Sequence, residues 1–383
     1  MRVTSSIVVS SFCTLLATGA AAQGTFAPAV LAAAAVASSP HAAAFERVQE
    51  VRSGPENTEH WTRTFKTGPN GSLDLSNISG DIVITAGAGD EIRVEANKSV
   101  RAHDDQDARR QLQSVVINAA ERAGRVEITT SYPRNQQNIQ VDVDYTVEVP
   151  PSASVSVRSV SGSIQMTGVK GEARLETVSG DVTTTSSGRL AKVKSVSGDV
   201  SVTEGGSTDM LDLGTVSGNL TVKRLKARSL DVQTISGDLL LTDTACERVQ
   251  AKSISGDLRF GGPLVKTGRY EFTSHSGDVR LGLQGSTGFQ ITATTFNGDL
   301  RSDLRLSERQ GDTENVSAGD REHHGPRRQE LRGTFGDGSA VVIVQTFSGD
   351  LVVTNGSADK PAGPKGKDKD QDRDRDRDQD RDR

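Results

Sequence analysis

Apolar and polar residues alternate in short runs along most of the chain, and the runs restart in the same phase about every 20 residues. Ser-Gly-Asp, or a near copy, marks each restart. The glycines are Gly80, Gly162, Gly180, Gly198, Gly218, Gly237, Gly256, Gly277, Gly298 and Gly349, with steps of 18, 18, 20, 19, 19, 21 and 21 residues from Gly162 to Gly298. Apolar residues sit two and four after the glycine, as in Val200/Val202, Leu239/Leu241 and Leu258/Phe260. Others sit five and seven before it, as in Leu175/Ala173, Leu213/Leu211 and Val232/Leu230. The residue three before is Ser or Thr from Ser159 onward, and the residue two before is apolar (Val160, Val178, Ile235, Phe347), with His275 the exception. Alternation on both sides of a turn predicts strand, turn, strand. The strands are rich in β-branched residues, which suit a half-buried pleated surface. Glycine at the turn permits positive φ, and the neighbouring Ser and Asp can bond local backbone groups. The ten glycines are therefore expected to be structural turn residues.

A meander of antiparallel hairpins is the alternative. In a meander, alternate turns could differ freely, whereas here each turn type recurs at one phase. That favours coils stacked on their neighbours. The expected fold is all-β: a parallel β-helix (β-solenoid) with rungs of about 18–21 residues. The usual hand of parallel crossovers predicts a right-handed coil. Glycines such as Gly171, Gly188, Gly206 and Gly268 fall where a second turn must close each coil.

The flanks divide the chain further. Arg2 followed by the apolar stretch Ile7–Ala22 predicts a signal peptide over 1–22, with a cut as late as 44 because residues 26–37 are also alanine-rich. A retained signal anchor is the alternative. Residues 23–60 read as a flexible lead-in, and 61–150 as a β-rich cap with one short helix near Asp104–Val116, continuous with the solenoid. The repeats occupy 151–302, a charged insertion 303–333 and a final rung 334–356. The tail 357–383 alternates Asp with Lys or Arg and predicts disorder.

The lead-in Gly71-Ser-Leu-Asp-Leu-Ser-Asn-Ile-Ser-Gly-Asp-Ile, the stretch Val141-Asp-Val-Asp-Tyr-Thr-Val-Glu-Val-Pro and the tandem Val-Ser-Gly-Asp copies carry a resemblance. Over about residues 61–355 the chain resembles the bacterial putative-adhesin family of unknown function with SGD-repeat β-solenoid domains. The resemblance implies export and a solenoid, and it brings no catalytic residues. The charged insertion and the Asp/Arg tail depart from it.

Candidate chemistry is sparse. Asp181, Asp199, Asp238, Asp257, Asp278 and Asp299 stack on successive rungs, with Asn219 interposed. Carboxylates one rung apart repel by about 1 kcal/mol in water. Such a row could recruit Ca²⁺, with Asp238, Asp257 and Asp278 the weak candidates. The plainer expectation is that each Asp bonds its own turn. A glycosidase needs two carboxylates set across a cleft, whereas these recur along one edge. Trp61 is the only tryptophan and reads as packing, not as a sugar platform. Glu322-His323-His324 is a weak metal motif in a charged segment. Of two cysteines, Cys13 lies in the signal segment, so Cys246 is left without a partner and reads as a small side chain near a turn. A formal net charge of −5 argues against nucleic-acid binding. The sequence thus predicts an exported protein of a bacterial periplasm or cell surface. It would be a non-enzymatic binding or structural module without cofactor, its partner an unknown envelope polymer or protein. A periplasmic scaffold or stress-related protein and a polysaccharide-active β-helix enzyme are the alternatives.

Overall fold

The computed structural model describes residues 56–102, 104–133, 140–307 and 329–356. The signal segment, most of the lead-in, most of the charged insertion (with Glu322, His323 and His324) and the tail lie outside the described residues.

Strands build two 13-stranded sheets that run largely parallel. Each rung gives one strand to each sheet. In the Gly237 rung these are Lys226–Ser236 and Leu239–Thr242. Like residues stack in register: Leu239 lies between Leu220 and Leu258, and Leu230 lies between Leu211 and Val249. These side chains face inward and are fully buried, which forms one continuous core between the sheets. This is the expected β-solenoid with its short helix.

Rung order in space departs from order in the chain at both ends. The Gly349 rung does not follow the Gly298 rung. Its strands, Ala340–Ser348 and Leu351–Asn355, pair with the Gly277 rung on one side and the Gly298 rung on the other. At the other end, Ser72–Ser76 and Ile82–Ala86 lie between the rung of Arg125–Ser131 and Val141–Val149 and the Gly162 rung. The outermost rungs then carry antiparallel covers. Val116–Arg122 pairs with Arg125–Ser131, Glu91–Arg101 with Val141–Val149, and Gln329–Phe335 with Phe289–Asn297. An open sheet edge invites pairing with another chain. The sheets end on the antiparallel strands Glu56–Lys66, Gln329–Phe335 and Val116–Arg122 and on Leu300–Ser302, an edge strand of only three residues.

Two boundaries differ from expectation. Residues 56–60, expected in the flexible lead-in, belong to the strand Glu56–Lys66, which pairs with Glu91–Arg101. Residues 329–333, expected in the charged insertion, belong to the strand Gln329–Phe335. In both cases a polar sequence forms a covering strand, for which edge position matters more than apolar alternation.

The helix spans Asp105–Ser114, and the Asp104 side chain caps it by accepting from the Asp107 amide at 2.6 Å. It is tied to its neighbouring strands by Lys98, which is buried and bonds both Glu59 Oε1 (3.2 Å) and the Leu112 carbonyl (3.4 Å).

The second turn also differs. Its left-handed residues are Ser186, Glu204, Arg224 and Asp243, with φ of 51–55°. Gly188 comes two residues after Ser186, and Gly171 three after Gly168, which holds this place in its own rung with φ of 80°. A Cβ on Gly171 would lie 2.0 Å from the Ala153 carbonyl oxygen. Close approach of rungs, not positive φ, explains that glycine.

Candidate binding surface along the turn ridge

The Ser-Gly-Asp turns form one edge of the solenoid, and every residue of the motif bonds between rungs. The Asp after each glycine does not bond its own turn, as expected, but the amide of the next rung. Asp181 Oδ1 accepts from the Asp199 amide at 2.8 Å, Asp238 from Asp257 at 2.9 Å, and Asp257 from Asp278 at 3.1 Å. Asn219 does the same through its side-chain oxygen, accepting from the Asp238 amide at 3.0 Å. The row continues across the interposed rung, from Asp278 to the Asp350 amide and from Asp350 to the Asp299 amide. Three residues before the glycine, buried hydroxyls on several rungs donate to the glycine carbonyl of the preceding rung, as Ser195 does to Gly180 (2.9 Å) and Thr215 to Gly198 (3.0 Å). Those of Ser253, Ser274 and Thr346 have no partner among the described residues.

The glycines themselves touch. A Cβ on Gly237, where φ is +144°, would lie 1.9 Å from the Gly218 carbonyl oxygen. The turn therefore requires glycine twice over, for conformation and for space.

The weak metal candidates Asp238, Asp257 and Asp278 are thus hydrogen-bond acceptors in a backbone ladder. Arg259 and Arg280 hold the other oxygens of Asp257 and Asp278 at 2.9–3.4 Å. Among the described residues no group of three or more His, Cys, Asp and Glu side chains could hold a metal ion. A shallow depression on the sheet face is lined by Asp74, Arg125, Arg158, Glu172 and Arg174. Its charges pair with one another: Arg125 and Arg158 with Asp74, and Arg174 with Glu172. On the opposite corner, hydrogen bonds from Ser186 and then Arg224 hold the Glu204 carboxyl below its ordinary range.

The apolar residue two before the glycine is the surprise. Ile78, Val160, Val178, Val196, Val216, Ile235, Ile254, Phe347 and Phe296 all point outward, 37–53% exposed. Their flanking serines and threonines pair from rung to rung, so they lie side by side in that order, with exposed His275 between Ile254 and Phe347. The result is a continuous ridge, apolar except at His275, beside the Asp ladder. Its end is aromatic: His275 stacks on Phe347 at 4.9 Å, and Phe296 follows at 5.8 Å. One signal in the sequence could have found it. Inward positions lie seven, five and three before the glycine, so an apolar residue two before is out of phase.

Trp61 is partly buried against the core, with Arg63 over its ring at 5.9 Å. Cys246 is buried, and burial raises its thiol to about 11, so it stays protonated. Its carbonyl accepts from the buried Tyr270 hydroxyl at 2.8 Å.

The family model named Toastrack DUF4097 matches residues 70–354, the span that carries both sheets apart from the covering strand Glu56–Lys66. The chain belongs to this family. No curated protein matches it. Among solved structures, the chain is similar to a putative adhesin from Bacteroides fragilis, with 11% identity over 77% of this chain and 97% of that one and a TM-score of 0.39. It is also similar to a putative cell adhesion protein from Clostridium sporogenes (12% identity, 79% of this chain, 100% of that one, TM-score 0.22). A third is a putative lipid binding protein from Parabacteroides distasonis (13%, 58% and 89%, TM-score 0.36). In this Toastrack chain no helix among the described residues is long and apolar enough to cross a membrane.

Proposed function

We propose that this chain is an exported, non-enzymatic binding module of the bacterial cell envelope and that the turn ridge is its contact surface. The ridge carries the reading. Contiguous exposed apolar patches beyond a few hundred Å² are rare on monomers and mark interaction sites. Ten rungs presenting the same position, from Ile78 to Phe296, make a repeated surface on which weak contacts add. The acidic residues beside it are engaged in the backbone ladder and do not face each other across a cleft, which favours binding over glycoside hydrolysis.

Protease shaving of intact cells followed by fractionation tests export and display. Cleavage on whole cells means outward display, and protection until the outer membrane is breached means a periplasmic scaffold. The ridge is tested by Ile235→Lys with Ile254→Lys. The variant should stay folded and lose its retention in the envelope fraction. Unchanged retention would remove the ridge from the function.

A further inference from the structure

We propose that the partner of the ridge is a second copy of this chain, docked ridge to ridge in a parallel two-fold dimer. The proposal deepens the binding reading above by naming the occupant.

The first argument is area. The exposed portions of the ridge residues present on the order of 700 Å², close to the about 800 Å² that each partner buries in a standard interface. The cluster of His275, Phe347 and Phe296 supplies the aromatic anchor on which such interfaces depend.

The second argument is charge. The Asp ladder flanks the ridge on one side. The row four before each glycine flanks it on the other, and its charged members are Arg158, Lys194 and Lys252 with Glu176. Arg158 and Lys194 also pair within the chain, with Asp74 and Asp212, and would share those pairs with the partner's ladder. Arg259, Arg280 and Arg301 already pair with Asp257, Asp278 and Asp299. Asp181, Asp199 and Asp238 lie in the half of the ladder without such arginines and remain exposed. A two-fold axis across the ridge would set Asp row against Asp row. An axis along the ridge sets each Asp row against the partner's basic row instead. Like charges facing each other disfavour the antiparallel pairing. In the parallel pairing each rung meets its own counterpart, so the rung spacing of about 4.8 Å matches along the whole contact. The same Asp row disfavours an anionic lipid surface as occupant.

Sedimentation equilibrium of the purified full chain should give a dimer at micromolar concentration. Ile235→Lys with Ile254→Lys should give a monomer with an unchanged circular dichroism spectrum. Met210→Lys, an exposed apolar position off the ridge, should remain dimeric. Orientation is read by cross-linking with a short bismaleimide in a Cys13→Ser background. Val160→Cys and Phe347→Cys should each cross-link to itself. A monomeric parent chain overturns the proposal, as does a monomer that floats with phosphatidylcholine vesicles through the ridge. A dimer in which Val160→Cys links only to Phe347→Cys overturns the parallel orientation. If the parent is monomeric yet the double Lys variant still loses envelope retention, the dimer fails while the binding reading stands.

Discussion

The imidazole of His275 lies flat on the ring of Phe347, centroids 4.9 Å apart and planes 10° from parallel. Far apart in the chain, the two meet because the Gly349 rung slots between the Gly277 and Gly298 rungs.

That topology has a direct consequence. Deleting residues 334–356 removes an interior rung, not a terminal one. The strand Phe289–Asn297 would lose its parallel partner, so its amides should lose hydrogen-exchange protection. Unchanged protection there would mean that the Gly298 rung packs directly on the Gly277 rung.

Glycine is needed at the turns for two separable reasons. Gly237→Ala meets both a positive φ and the Gly218 carbonyl. Gly285→Ala meets only the conformation, since φ is +107° and nothing lies within 4 Å of the added Cβ. Strained backbone costs about 1–3 kcal/mol. Gly285→Ala should fall in that range by denaturant unfolding and Gly237→Ala above it. Equal losses would show that the rungs can part at no cost.

Asn219 already does the work of an aspartate, accepting from the Asp238 amide. Asp238→Asn should therefore leave the melting temperature unchanged or slightly raised. Asp238→Ala removes the acceptor for the Asp257 amide and should cost about 0.5–1.5 kcal/mol. Added calcium should shift neither protein. A calcium-dependent rise in the parent that Asp238→Asn abolishes would instead place a cation on the ladder.

Burial pushes the hydroxyls of Tyr145 and Tyr270 up to about 12 and the Cys246 thiol up to about 11. In each case the folded value lies above the unfolded one, so above pH 9–10 the unfolded chain binds fewer protons than the folded one. The stability these groups contribute is complete below that range and is lost as pH rises through 11–12. Melting temperature should fall steeply over that window, and less steeply in Tyr270→Phe. Identical slopes would mean that the Tyr270 hydroxyl is not held protonated.

The sequence by itself determined the solenoid, because period-two alternation restarting at one phase can bury its apolar face only by stacking, and Leu220, Leu239 and Leu258 do stack. It located the turns as well, since a recurring Ser-Gly-Asp has no better use. It did not determine which rung neighbours which. Copies this alike make nearly equivalent neighbours, so the place of the Gly349 rung rests on long-range packing and on the covering strand Gln329–Phe335. Nor did the motif show what its Asp bonds, because the acceptor's partner lies on the next rung and not in its own turn. The outward turn of Val160, Ile235 and Phe347 was legible in the phase, for the strand's inward positions end on the Ser or Thr one residue earlier, but only the tertiary order of the rungs brought Phe347 between His275 and Phe296.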